Sequence, residues 1–128
     1  MLRHVTLLVD DYDSGLRFFV IGLGWTCLCD IDQGRKRWVT VAPPGGAVTS
    51  LVLAVPTTEA QRAAIGAQAG DRVGFFLETD DFDRDAARIV VAGGLFLEPP
   101  RDEVYGRVAQ WRDPWGNLWD LLGPAPQP

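Results

Sequence analysis

The chain has 128 residues, the usual size of one compact domain able to bury a core. Hydrophobic residues make up 47% and charged residues 23%, a globular balance that argues against disorder. The net charge of −5 repels phosphate backbones and so argues against nucleic acid, and no apolar run approaches the roughly 20 residues a bilayer span needs.

Met1-Leu2-Arg3-His4 leads directly into a strand, without the basic-then-apolar order of a secretory signal, so a cytoplasmic protein is expected. Residues 3–9 form a short β-branched apolar run that stops at Asp10-Asp11. Asp11 or Asp13 can cap the helix that follows, and Leu16, Phe19, Val20 and Leu23 give it one apolar face at 3.6-residue spacing. Gly22 and Gly24 end it. Strands are predicted over 25–32, 37–42 and 49–54, with a turn at Gln33-Gly34 and a loop at Pro43-Pro44-Gly45-Gly46. A polar connector over 57–70 carries a short helix near 59–67. The order then repeats: a strand at 72–79, a helix at 82–92, and strands near 95–98, 105–112 and 117–122.

The repetition is visible in the residues. His4 to Asp13 aligns without a gap on Gly74 to Asp83, at an offset of 70, and Ser50-Leu51-Val52-Leu53 aligns on Leu118-Trp119-Asp120-Leu121. This predicts an α+β fold of two βαβββ modules in a single domain. Module one covers 1–56, the connector 57–70, module two 71–123 and a frayed tail 124–128. Cys27 and Cys29 alternate along one predicted strand, which puts both thiols on one face, reduced and largely buried. Arg35, Lys36 and Arg37 read as a solvated hairpin.

Asp10-Asp11, the helix carrying Leu16-Arg17-Phe18-Phe19, and Gly22-Leu23-Gly24-Trp25 resemble the first half of vicinal oxygen chelate proteins, the glyoxalase/bleomycin resistance/dioxygenase superfamily. Tyr105-Gly106 followed by Asp113-Pro114-Trp115-Gly116-Asn117 resembles that superfamily's closing hairpin. In the hairpin, Asp113, Gly116 and Asn117 read as turn formers, with Trp115 exposed at the tip for a dimer contact.

The resemblance implies a cup-shaped mixed sheet with a divalent metal at its floor, held from the first and last strand of each module. The repeat assigns those four positions to His4, Val52, Gly74 and Asp120. Val52 and Gly74 offer no side-chain donor. A 2-His-1-carboxylate dioxygenase needs two imidazoles, and the chain has one histidine, so extradiol dioxygenase activity is not expected. His4 and Asp120 are the catalytic candidates and the only weak metal candidates. Glu78 lies roughly 13 Å along its strand from Gly74, toward the rim.

No cofactor is predicted beyond a weakly held divalent ion. Thr6, Trp38, Gly74, Phe76, Tyr105, Arg107, Trp111 and Leu118 are the candidate ligand-contacting residues, an apolar and aromatic lining suited to a small molecule. The leading expectation is therefore a homodimeric small-molecule binding protein with no membrane partner. A metal-assisted lyase or isomerase using His4 and Asp120, or an interaction domain with a side-chain-filled cup, are the alternatives.

Overall fold

The computed structural model describes residues 1–125 and separates into two compact units that divide after Ile65. Residues 126–128 of the expected tail lie outside the described residues.

The first unit runs β1 (His4–Leu8), α1 (Tyr12–Leu16), a π-helical stretch (Arg17–Gly22), β2 (Thr26–Asp32), β3 (Arg37–Ala42), β4 (Ser50–Ala54) and α2 (Glu59–Ala64). Its sheet order is β1-β4-β3-β2, with β1 parallel to β4 and the remaining pairs antiparallel. The second unit contains β5 (Val73–Glu78), α3 (Phe82–Ala92), β6 (Leu95–Phe96), β7 (Arg101–Glu103), β8 (Gly106–Arg112) and β9 (Leu118–Gly123). Its order is β5-β9-β8-β6, with β7 also on β8. The fold is α+β, with one mixed sheet per unit.

Local chemistry sets the helix starts. The Asp11 carboxylate accepts from the Ser14 backbone N–H, and Asp81 does the same for Arg84 in the repeat. Gly93 closes α3 with φ +110, a left-handed cap that glycine alone adopts cheaply. The first helix departs from its expected face: Gly15, Phe18, Phe19 and Leu23 are buried, while Leu16 and Val20 are only half-buried. The cause is the π-turn, in which the Leu23 N–H reaches the Phe18 carbonyl five residues back and rotates the apolar stripe.

In each sheet, one face meets the helix of its own unit. Leu7, Val39, Val41, Leu51 and Leu53 form that layer in the first unit, and Gly15 lets the helix approach until a Cβ there would sit 2.8 Å from Leu53. In the second, Phe75, Trp119 and Trp111 stack in series at 4.7 and 4.9 Å, with Ile89 of α3 buried beside them.

Several expectations are corrected. The second strand of the second unit is split into β6 and β7, both on β8, because Pro99 and Pro100 cannot donate to a ladder. Gly123, the last residue of the expected second module, is the buried last residue of β9. A bulge at Leu28 places Cys27 opposite Val41 and Cys29 opposite Thr40, so the thiols do not share a face, and Cys27 is exposed. Arg37 is not simply solvated: its guanidinium donates to both Asp30 oxygens at 3.1 and 2.7 Å and to Asp13 at 2.9 Å, over the Tyr12 ring. It ties β3 to β2 and to the start of α1.

Asp113 carries out the turn role expected of it, more extensively than a turn requires. Its Oδ1 accepts from the backbone N–H groups of Trp115, Gly116 and Asn117 at 2.9–3.0 Å, and its Oδ2 from the Asn117 amide and the Trp119 indole at 2.9 Å. Trp115 is half-buried rather than exposed, with its carbonyl packed against Gly66.

Candidate functional site

The candidate residues are best located by sheet face, because a one-residue slip moves a strand's side chains to the other side. In the first unit, the face turned away from α1 carries His4 and Thr6 on β1, Ser50 and Val52 on β4, and Trp38 and Thr40 on β3. His4 Nδ1 and Ser50 Oγ share a 2.7 Å hydrogen bond. The His4 ring also meets Trp38 edge-on, with centroids 5.4 Å apart and planes at 86°. Since β4 lies between their strands, Trp38 reaches across β4 to make this contact. His4 is thus positioned within its own unit by a serine and an indole.

In the second unit, the face turned away from α3 carries Phe76 on β5, Leu118, Asp120 and Leu122 on β9, and Val108, Gln110 and Arg112 on β8. Asp120 sits between Phe76 on one neighbouring strand and Gln110 on the other. Phe76 is 63% exposed, although it lies mid-strand. The carboxylate of Asp120 has no hydrogen-bond partner among the described residues. Burial pushes its pKa up, Glu98 adds to this, and Arg101 partly opposes it. Arg101 is itself engaged by Glu98 and Glu103.

The internal repeat holds at this level of detail. Thr6 lies opposite Val52 in the first sheet and Phe76 opposite Asp120 in the second, so Val52 and Asp120 are equivalent positions. Gly74 sits at a bulge between Val73 and Phe75, and the space beside it is tight: a Cβ there would lie 3.1 Å from Ala69.

Other candidates fall elsewhere. Trp111 and Arg107 are on the helix-packed face of β8, opposite Trp119 and Gly123. Trp111 is fully buried in the indole stack, and Arg107 pairs with Asp102 at 3.0 Å over the Phe82 ring. Tyr105, 68% exposed, lies in the turn before β8, close enough to Arg101 to interact with its guanidinium. Leu118 does lie on the Asp120 face, opposite Arg112.

Among the residues of these faces outside the candidate set are Ser50, which bonds His4, and Gln110, which lies opposite Asp120. Gln110 was within reach of the sequence, because counting outward from the Asp113–Asn117 turn pairs Arg112 with Leu118 and Gln110 with Asp120.

The donor set does not suit a resident divalent metal. Val52 and Gly74 have no side-chain donor, which leaves only His4 and Asp120 of the four positions. Among the described residues, no group of three or more His, Cys, Asp or Glu is gathered to hold an ion.

Comparison with known proteins decides the family. Residues 1–121 match the Glyoxalase/Bleomycin resistance protein/Dioxygenase superfamily. The chain belongs to this superfamily. An uncharacterized protein of Shewanella frigidimarina is 46% identical over 121 residues, covering 93% of this chain and 90% of its own. Among solved structures, TnmS3, an antibiotic binding protein from Streptomyces sp. CB03234, is 30% identical with a TM-score of 0.75, covering 98% of this chain and 96% of its own. A glyoxalase/bleomycin resistance protein from the same organism is 33% identical with a TM-score of 0.72, covering 95% and 99%. This member of the glyoxalase/bleomycin resistance superfamily has one mixed sheet in each of its two units. Among the described residues, no helix is long and apolar enough to cross a membrane.

Proposed function

We propose that this chain is a small-molecule binding protein of the superfamily that works without a tightly held catalytic metal. The observation that carries the reading is the Phe76–Asp120 pair. An exposed aromatic ring and a carboxylate without a hydrogen-bond partner among the described residues stand side by side on a sheet face, where a ligand would satisfy both. The antibiotic-binding description of TnmS3 supports the same reading. His4, Thr6 and Trp38 supply a second aromatic and polar surface in the first unit.

The protein is expected to work as a homodimer, and the free thiols Cys27 and Cys29 suit a reducing cytoplasm. Light scattering on purified protein checks the dimer: a monomeric mass at micromolar concentration removes that part of the proposal.

Binding is tested by thermal-shift and fluorescence titration of the full chain against bleomycin and planar aromatic antibiotics. Saturable stabilisation by at least one of them is expected, and a screen without any hit overturns the reading in favour of a purely structural domain. Elemental analysis of protein purified without added metal gives an independent check. Near-stoichiometric nickel, zinc, iron or manganese would reject the metal-free form of the proposal. The competing lyase or isomerase reading rests on the raised pKa of Asp120, which suits a proton-transfer group. Turnover of a glutathione hemithioacetal that is lost in Asp120→Asn would establish it.

A further inference from the structure

Resting on that reading, we propose that Asp120, Phe76 and Gln110 form a subsite selective for a flat apolar ligand bearing a protonated nitrogen. The ring system stacks on Phe76 and the cationic N–H points at Asp120.

Three features of the second sheet lead to this ligand class. Phe76 and Asp120 are direct neighbours in the parallel β5–β9 pairing, so their side chains leave the same face at adjacent positions. Asp120 is the only acidic residue on that face of β9, and Leu118 and Leu122 flank it, which lowers the local polarity around the carboxylate. The nearby cation, Arg101, attracts the Asp120 charge but makes its ion pairs with Glu98 and Glu103, not with Asp120. A carboxylate without a hydrogen-bond partner in such surroundings gains most from a charge-assisted N–H donor. A carboxylate or phosphate ligand would instead meet repulsion from Asp120 and Glu98.

Gln110 sets the third contact. It lies opposite Asp120 on β8, and its backbone N–H is held by the Glu98 carboxylate at 3.2 Å, which fixes the strand while leaving the side-chain amide available. That amide can accept from or donate to a heteroatom at the ligand's edge. No bond is made or broken. The site discriminates by charge and shape alone.

The experiment compares two flat probes of similar outline on the full chain. 9-Aminoacridine is a cation at neutral pH and acridone is neutral. Fluorescence titration is expected to show 9-aminoacridine binding at least about tenfold more tightly than acridone, the order of one charge-assisted contact. In Asp120→Asn the preference should collapse to within about twofold, with acridone affinity unchanged, and in Phe76→Leu both probes should weaken. Thermal unfolding of both variants confirms that they fold. Equal binding of the two probes by the unaltered protein, or a cation preference that survives Asp120→Asn, overturns this proposal while leaving the small-molecule reading standing. Failure of both probes to bind, alongside a screen without hits, overturns the two together.

Discussion

Phe76 lies directly beside Asp120 across the β5–β9 pairing, an aromatic ring next to a carboxylate without a hydrogen-bond partner among the described residues. The energetic consequence follows from the sign of the shift. Burial holds the Asp120 pKa above its ordinary value, so folding makes the carboxylate harder to ionise than it is in the unfolded chain. Its contribution to stability is fully present below the unfolded-state pKa and is lost as pH rises through the raised folded-state value. Asp120→Asn should therefore be more stable than the parent at neutral pH, by up to about 1 kcal/mol for a partly buried carboxylate. The difference should shrink toward zero as the pH falls below the carboxylate range. Urea denaturation at several pH values reads this directly, and a variant less stable at pH 7 contradicts it.

Asp113 presents the opposite case. Its carboxylate is 3% exposed and accepts five N–H groups. Asp113→Ala leaves three backbone donors, an amide and an indole N–H short of a partner, and should cost at least about 3 kcal/mol. Asp113→Asn should fall between, since one oxygen remains but an NH₂ is turned toward existing donors. Equilibrium unfolding measures both. A loss below 1 kcal/mol for the alanine variant would mean that the turn holds without the carboxylate.

Gly106 opens β8 with φ +143, and a Cβ there would stand 2.3 Å from the Gly123 carbonyl oxygen. Because the obstacle is backbone, it cannot rotate away. Gly106→Ala is expected to destabilise by about 2 kcal/mol or more, combining the strained conformation with displacement of β9. Its unfolding midpoint in urea is the test.

Trp111 and Phe76 should separate packing from binding. Trp111→Phe removes part of the stack with Trp119 and should cost about 1–3 kcal/mol, while probe affinity stays within about twofold. Phe76→Ala, at an exposed position, should leave stability within about 0.5 kcal/mol and reduce planar-ligand affinity about fivefold to tenfold. If the two substitutions exchange effects, the face assignment of β8 is wrong.

Much of the architecture was legible because repetition and periodicity are carried by many residues at once. The α3 limits and the β3 limits coincide with the expected ranges, and the Asp11 cap was among the two candidates. The site was less legible because its geometry hinges on single insertions. One π-turn rotates the Phe18–Phe19 stripe, one bulge at Leu28 separates two thiols, and one bulge at Gly74 shifts β5 against β9. None of these leaves a compositional trace. Trp111 and Arg107 look like wall residues by type, yet pairing from the Asp113 turn sends them to the helix side. Gln110, an inconspicuous residue, takes the place beside Asp120 by the same count.

The split between β6 and β7 also bears on solubility. An uninterrupted outer strand offers a ladder of free amides and carbonyls that another molecule's backbone can extend. Here the two prolines at 99 and 100 break that ladder midway, and on the first sheet one of the two outer strands, β2, is broken by its own irregularity at Leu28. A chain arriving at either of these two borders finds only short stretches on which to register, which discourages fibrous stacking there.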